Sequence, residues 1–283
     1  FTGYDFDNYR YYQGPAAQVG NIYPQSYART FYEGLKQAGE ERVVSLLRCA
    51  WAGSQRYGAL VWSGDIHSDW ETLRRQVCAG LNMGIAGISW WTTDIGGFPG
   101  GNPDDPAFRQ LLVRWFEWGC FCPVMRLHGD RVPSTPLYNR AGERLNPTGA
   151  ANEVWSFGEE NTDTLVKYIR FREAMRPYTR KVMEEAHELG RPVMRPMFYE
   201  FPEQECCWEM KEQYMFGSDI LVAPVLYEGQ TEREVYLPEG AGWTNVHDGK
   251  TYEGGQTVTV SAPLEVIPVF LRDGRLSELV GLI

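Results

Sequence analysis

The chain has 283 residues, 43% of them hydrophobic and 14% aromatic, enough apolar material for one large domain and a smaller one. Its 37 acidic against 27 basic residues give a net charge of -10, so the electrostatic footprint of a nucleic-acid or anionic-membrane partner is missing. The six cysteines (Cys49, Cys78, Cys120, Cys122, Cys206, Cys207) show no Cys-x-x-Cys spacing and read as buried thiols, and the longest uncharged run, 76–93, is broken by Asn82 and three glycines and does not suit a membrane span.

Residues 1–22 form an aromatic, glycine-rich loop whose acids, Asp5 and Asp7, read as loop structure or subsite lining. A helix is predicted over 24–38, where Tyr27, Phe31 and Leu35 recur every four residues, closing at Gly39. An apolar strand follows at 43–47, then a loop that begins at Arg48, and a second strand that stops at Trp62-Ser63-Gly64-Asp65. Ser68 and Glu71 have the spacing of a capping box for a helix carrying Leu73, Val77 and Leu81. A third strand is predicted over 84–91, ending in Thr92-Thr93-Asp94; Trp90 and Trp91 point to opposite faces, so at most one lines a site. Asp105-Pro106 opens a helix to about residue 118 as N-cap and first position. A fourth strand over 123–127 delivers His128, and a helix from roughly 162 to 189, interrupted near Pro177, ends at Gly190.

Helix and strand thus alternate over 23–190 within a barrel portion spanning 1–190, which implies parallel strands, and at least three strands end in polar residues: Asp65, Asp94 and His128. Functional groups at strand C-terminal ends mark a (β/α) barrel; an open doubly wound sheet is the alternative. No Gly-x-Gly-x-x-Gly or Walker sequence follows a strand, so neither cofactor nor metal is expected. Residues 191–283 carry short β-type runs between Pro/Gly turns and read as a small antiparallel, sandwich-like β-domain. The fold class is therefore α/β: the C-terminal half of a (β/α)8 barrel followed by that domain. Taken alone, Asp65 is either a site carboxylate or a turn former, and Asp94 before Gly96-Gly97 is open to the same two readings.

Three ordered motifs, Trp-Ser-Gly-Asp (62–65), Trp-Thr-Thr-Asp-Ile-Gly-Gly-Phe (91–98) and Arg-Leu-His-Gly (126–129), resemble the catalytic half of glycoside hydrolase family 31. Residues 219–225 and 268–274 resemble the β-domain that follows the barrel in that family. The resemblance implies a retaining, exo-acting α-glycosidase that takes an α-linked glucoside, with the α-xyloside close behind, from an oligosaccharide. It makes Asp65 the general acid/base and Arg48 and His128 sugar-hydroxyl ligands. Trp62 and Phe98 become walls of the subsite, and Asp94 either orients Arg or His neighbours or binds a hydroxyl. An acid that donates near neutral pH needs partial burial, which Trp62 could supply.

Retention also needs a nucleophilic carboxylate about 5 Å from the acid/base. In the resembling family it ends the fourth barrel strand, upstream of a loop like residues 1–22, and neither Asp5 nor Asp7 matches its motif. Four βα units are visible where a barrel has eight. The expectation is an N-terminally truncated hydrolase, inactive by itself and poorly folded because strand edges are left unpaired. A non-catalytic carbohydrate-binding protein or pseudoenzyme is the alternative, and a phosphate- or cofactor-dependent barrel enzyme a distant third.

Overall fold

In a computed structural model, which describes residues 9–145 and 148–283, the chain opens with a hairpin of β1 (Arg10–Tyr11) and β2 (Gly14–Pro15) and a single turn, α1 (Ala16–Val19). Asp5 and Asp7 lie outside the described residues. The first long helix, α2 (Tyr23–Gln37), has a proline in its first turn, where the missing N–H costs nothing. Its Ala28 is buried and packs with Leu47 and Ala59, so a small side chain sets the approach of helix to sheet. The periodic residues Tyr27, Phe31 and Leu35 do not form the buried face; together with Tyr23 they make an exposed stripe.

Three parallel strands follow: β3 (Ser45–Leu47), β4 (Ala59–Trp62) and β5 (Trp91–Thr92), in that order across the sheet. Leu47 pairs with Val61 and Trp62 with Thr92, so the C-terminal ends lie side by side. β3 is an edge, and Val44 and Leu46 beside it are exposed. The connecting helix α3 (Trp70–Ile85) is capped by Asp69, whose side chain accepts from the Thr72 N–H at 2.7 Å, one residue later than the expected box. Ser68 instead donates to the Pro99 carbonyl at 3.2 Å, and Glu71 pairs with Arg75 one turn on. α3 runs through Gly84, so the strand expected at 84–91 shrinks to β5. Its glycines serve packing: a Cβ at Gly80 would stand 2.7 Å from the Trp91 ring, and one at Gly84 2.9 Å from the Met194 carbonyl. Trp91 is core, whereas Trp90 lines a cleft with Glu41, Arg42 and His187 at the opposite, N-terminal ends of the strands.

Asp105 caps α4 (Pro106–Gly119) as the sequence predicts, accepting from Ala107 N–H at 3.0 Å. The segment 123–127 is not a strand; Val124 N–H donates to the Trp91 carbonyl of β5 at 3.3 Å, and a parallel bridge beyond the sheet joins Ile95 to Leu127. A hairpin of β6 (Arg131–Thr135) and β7 (Thr148–Ala150) precedes α5 (Glu159–Ala174) and α6 (Arg176–Leu189). The two helices part at Met175, because Pro177 lacks an N–H and its ring would crowd the carbonyl four residues back. Gly190, at φ +68°, ends α6.

The remainder comprises β8 (Met194–Pro196), a turn α7 (Met197–Glu200), β9 (Tyr214–Phe216), β10 (Ile220–Val222), β11 (Glu232–Leu237), β12 (Gly242–Asn245), β13 (Thr251–Glu253), β14 (Gln256–Ser261) and β15 (Val269–Arg272). Six of these strands form an antiparallel sheet in the order β13-β12-β15-β10-β9-β8, and β11 pairs with β14 apart from it. The sheet's strands β8, β9, β10 and β15 are buried on both faces, whereas the edge strand β13 is largely exposed. Tyr214, Phe216, Ile220, Val222, Val269 and Leu271 face the helices and share their core. Met215, Leu221 and Phe270, which oppose one another across the sheet, face the other way onto Val235 and Leu237 of β11. Arg114, wholly inside α4, ties the two layers: it donates to the carbonyls of Gln230, Ala262 and Val266 and pairs with Glu117 at 3.0 Å. All six cysteines are free thiols, but only Cys120, Cys122 and Cys207 are buried; Cys49 and Cys206 are exposed, against the expectation.

Candidate active site

Because β3, β4 and β5 are parallel and in register, Arg48, Asp65 and Asp94 follow adjacent strand ends on one side of the sheet. The bridge from Ile95 to Leu127 brings Arg126 and His128 alongside. Within this group Arg48 Nη2 donates to Asp65 Oδ2 at 2.6 Å, and the Arg48 guanidinium lies 5.7 Å from the Trp62 ring. Partial burial of Asp65 against Trp62 was the expectation; instead the carboxylate is 43% exposed and the ring carries the cation. An open cleft of about 280 Å³, lined by Tyr23, Tyr27, Leu46, Arg48, Cys49 and Trp62, extends from this pair.

Asp94 is placed quite differently. Its carboxylate is fully buried, Arg126 Nη1 donates to Oδ1, and Oδ2 has no hydrogen-bond partner. Burial raises its pKa above the ordinary aspartate value, Arg126 and, more weakly, His128 oppose that rise, and Asp65 adds to it. Asp94 therefore senses both Asp65 and His128, which places the three in one electrostatic neighbourhood. A buried acceptor left open is costly unless something pairs with it. The Asp94 main chain also forms the turn, its carbonyl accepting from Gly97 N–H at 2.9 Å.

Phe98 and His128 stack with ring centroids 5.4 Å apart and 25° between planes. Phe98 is held on both sides of its main chain: its N–H donates to Ile66 O and its carbonyl accepts from Asp130 N–H, each at 2.7 Å. The six sequence-predicted residues thus fall into three contacts, Arg48 with Asp65 over Trp62, Asp94 with Arg126, and Phe98 with His128.

Two residues escaped the sequence reading. Arg126 was visible within Arg-Leu-His-Gly (126–129) but had no assigned part; it holds Asp94. Arg131 lay outside every motif, yet it is fully buried and bonded to the loop that follows Asp94. Among the described residues no group of His, Cys, Asp and Glu has the arrangement of a metal site, and no helix is long and apolar enough to cross a membrane.

Comparison with known proteins fits this geometry. The model of the glycosyl hydrolases family 31 TIM-barrel domain matches residues 2–181, and that of the family 31 C-terminal domain matches 190–276. The chain is 40% identical to an α-xylosidase from Saccharolobus solfataricus, across 95% of this chain and 34% of that protein. It is 37% identical to α-xylosidase A from Aspergillus niger, across 97% of this chain and 40% of the relative. It superposes on the crystal structure of a family 31 α-xylosidase from a soil metagenome, complexed with xylose, with a TM-score of 0.95 and 56% identity, covering 99% of this chain and 42% of the other. The chain spans between a third and two fifths of the length of those two curated relatives. With both domain models matched in order over nearly its whole length, the chain belongs to glycosyl hydrolase family 31.

Proposed function

We propose that residues 1–283 are the acid/base-bearing part of a retaining, exo-acting α-glycosidase that releases a terminal α-linked xylose, with glucose as the second choice. The observation that carries this reading is the placement of Asp65 and Asp94 after neighbouring strand ends, with His128 brought alongside by the Ile95–Leu127 bridge and Arg48 bonded to Asp65. The sequence alone leaned towards glucose; three α-xylosidases among the similar proteins, one of them bound to xylose, tip the choice. The division of the chain near residue 190, a barrel portion before and a β-domain after, is part of the same proposal.

In this reading Asp65 carries a proton to the leaving oxygen. Its exposed position at the cleft mouth suits a group that must reach the bond between two sugars. Arg48 holds Asp65 in place before substrate arrives, and its outer N–H groups turn to sugar hydroxyls on binding. Asp94 Oδ2, buried and unpaired, accepts from a hydroxyl of the bound sugar. His128, backed by Phe98, presents a ring nitrogen to another hydroxyl. The second carboxylate of the retaining pair comes from outside these residues and sits about 5 Å from Asp65 in the assembled site.

The test uses the natural full-length protein and its Asp65→Asn variant on an aryl α-xyloside with a good leaving group and on an unactivated α-xylosyl disaccharide. Loss of the acid should slow the disaccharide by about 10²–10⁴-fold and the aryl substrate far less. The released xylose should be the α-anomer first. Equal loss on both substrates would remove Asp65 from the acid role, and sugar binding without any hydrolysis by the wild type would favour a binding protein.

A further inference from the structure

Arg131 begins β6, beyond the catalytic motifs, and is fully buried. Its guanidinium makes bonds to main chain on every side of the site. Nη1 donates to the carbonyls of Gly96 (3.2 Å), Gly97 (3.0 Å) and Gly100 (3.3 Å) and to Ser68 Oγ (3.4 Å). Nη2 donates to the carbonyls of Ile95 (2.9 Å) and His128 (3.4 Å), and Nε donates to Asn152 Oδ1 (2.7 Å). The Phe108 ring closes the remaining face, 4.9 Å from the guanidinium carbon.

The surroundings are shaped to this group. A Cβ on Gly96 would come 2.8 Å from Nη2, and one on Gly129 would come 2.4 Å from the guanidinium carbon. Among the described residues no carboxylate is in ion-pair contact with Arg131, so loop carbonyls, not a counter-ion, face the charge. Burial lowers its pKa to about 10, with Asp94 and Asp130 opposing, which leaves it a cation at neutral pH.

Resting on the glycosidase reading above, we propose that Arg131 is a positioning residue for that site. By bonding the main chain just after Asp94, just before Phe98 and at His128, it fixes the Asp94 carboxylate and the Phe98–His128 pair relative to each other. It touches none of their side chains and does not reach the sugar. Lysine is no substitute, because three donors on a tetrahedral nitrogen do not satisfy acceptors spread around a planar fork.

The experiment compares wild type, Arg131→Lys, Arg131→Ala and Asn152→Ala in the natural full-length protein. It reads kcat and KM on an aryl α-xyloside, together with the Kd of a xylose-configured iminosugar by calorimetry. Displacing sugar-binding groups by about an ångström costs about 10²-fold in rate. Arg131→Lys should therefore lower kcat by about 10²-fold with a smaller change in KM, and weaken the iminosugar about tenfold. Free guanidinium should restore part of the activity of Arg131→Ala, which a residue serving stability alone would not allow. Asn152→Ala, which removes only the Nε acceptor, should fall between, and it carries the test if the Arg131 variants do not fold. Kinetics and iminosugar Kd within twofold of wild type in Arg131→Lys, or in Asn152→Ala where the Arg131 variants do not fold, would overturn the proposal whatever happened to Tm. A wild type that binds the iminosugar but hydrolyses nothing would overturn the glycosidase reading alone, and the Kd comparison would still decide the positioning role.

Discussion

Removing Arg126 should expose how strongly it opposes the effect of burial on Asp94. Asp94 is fully buried, Arg126 is the one hydrogen-bond partner of its carboxylate among the described residues, and the Arg126 side chain is 23% exposed. Two unit charges about 4 Å apart at an effective dielectric near 20 attract by about 4 kcal/mol. Partial solvation of Arg126 reduces that, so Arg126→Met should cost about 2–3 kcal/mol where Asp94 is ionised. The loss depends on pH in a definite direction. Burial already raises the Asp94 pKa, so its folded state favours the protonated form, and the associated stability is lost as pH rises through the folded value. Without Arg126 that value climbs further, and the loss continues to higher pH at up to about 1.4 kcal/mol per unit. Arg126→Met should therefore match wild type near the acid end, where both carboxyls are protonated, and fall behind progressively towards pH 8. Asp94→Asn with Arg126→Met should regain most of the deficit, since no charge is then left buried. Urea unfolding of wild type, both single variants and the double variant at several pH values completes the cycle. A deficit independent of pH, or a double variant no more stable than Arg126→Met at pH 8, would refute this account.

Three further substitutions probe the frame around the site. Burial pushes the Glu117 carboxyl up to about 8 despite Arg114 beside it, so folding favours its protonated form and stability should fall as pH rises from the unfolded value towards 8. Glu117→Gln should lack that dependence, equalling wild type near pH 4.5 and exceeding it in Tm at pH 8; a variant less stable at pH 8 would contradict the sign. Gly97 and Gly142 share a φ of +79°, but a Cβ on Gly97 would meet the His67 carbonyl and Ser68 Cα at 2.7 Å, whereas one on Gly142 meets nothing within 4 Å. Gly142→Ala should cost only the left-handed backbone strain, about 1–2 kcal/mol, and Gly97→Ala about 1–3 kcal/mol more from overpacking, measured as a difference in unfolding free energy. Equal costs would mean that the Ile66–Ser68 loop yields freely.

The helices were legible where their ends carry chemistry. Asp105-Pro106 and Gly190 sit at the boundaries the sequence predicts, and Pro177 does interrupt the long pattern, because capping and proline sterics act locally. The strands were less so. A strand is expected over 84–91, yet Gly80 and Gly84 let α3 lie against Trp91 and Met194, a contact that no local pattern encodes. β9, β12 and β13 are three or four residues long, too short to display a period of two. β9 and β10 are buried on both faces, which removes the alternation altogether. The stripe of Tyr27, Phe31 and Leu35 has helical spacing and does lie on a helix, but spacing does not say which face meets this sheet; Ala28 does.

The candidate site divides along a physical line. Asp65 and Asp94 could be picked out because they stand just past strand ends, where side chains are delivered to the face of a barrel, and His128 because it follows an apolar run that bridges to Ile95 without forming a strand. Arg126 and Arg131 were passed over because they act on other protein groups: one on a carboxylate, the other on carbonyls. A buried arginine that bonds main chain leaves little trace in its own identity. Its trace lies in its neighbours, which must give up their side chains to let a guanidinium approach. Gly96 of Asp-Ile-Gly-Gly (94–97) and Gly129 of His-Gly (128–129) are such positions, since a methyl group at either would collide with Arg131. Glycines beside the candidate site are thus the mould of a buried cation.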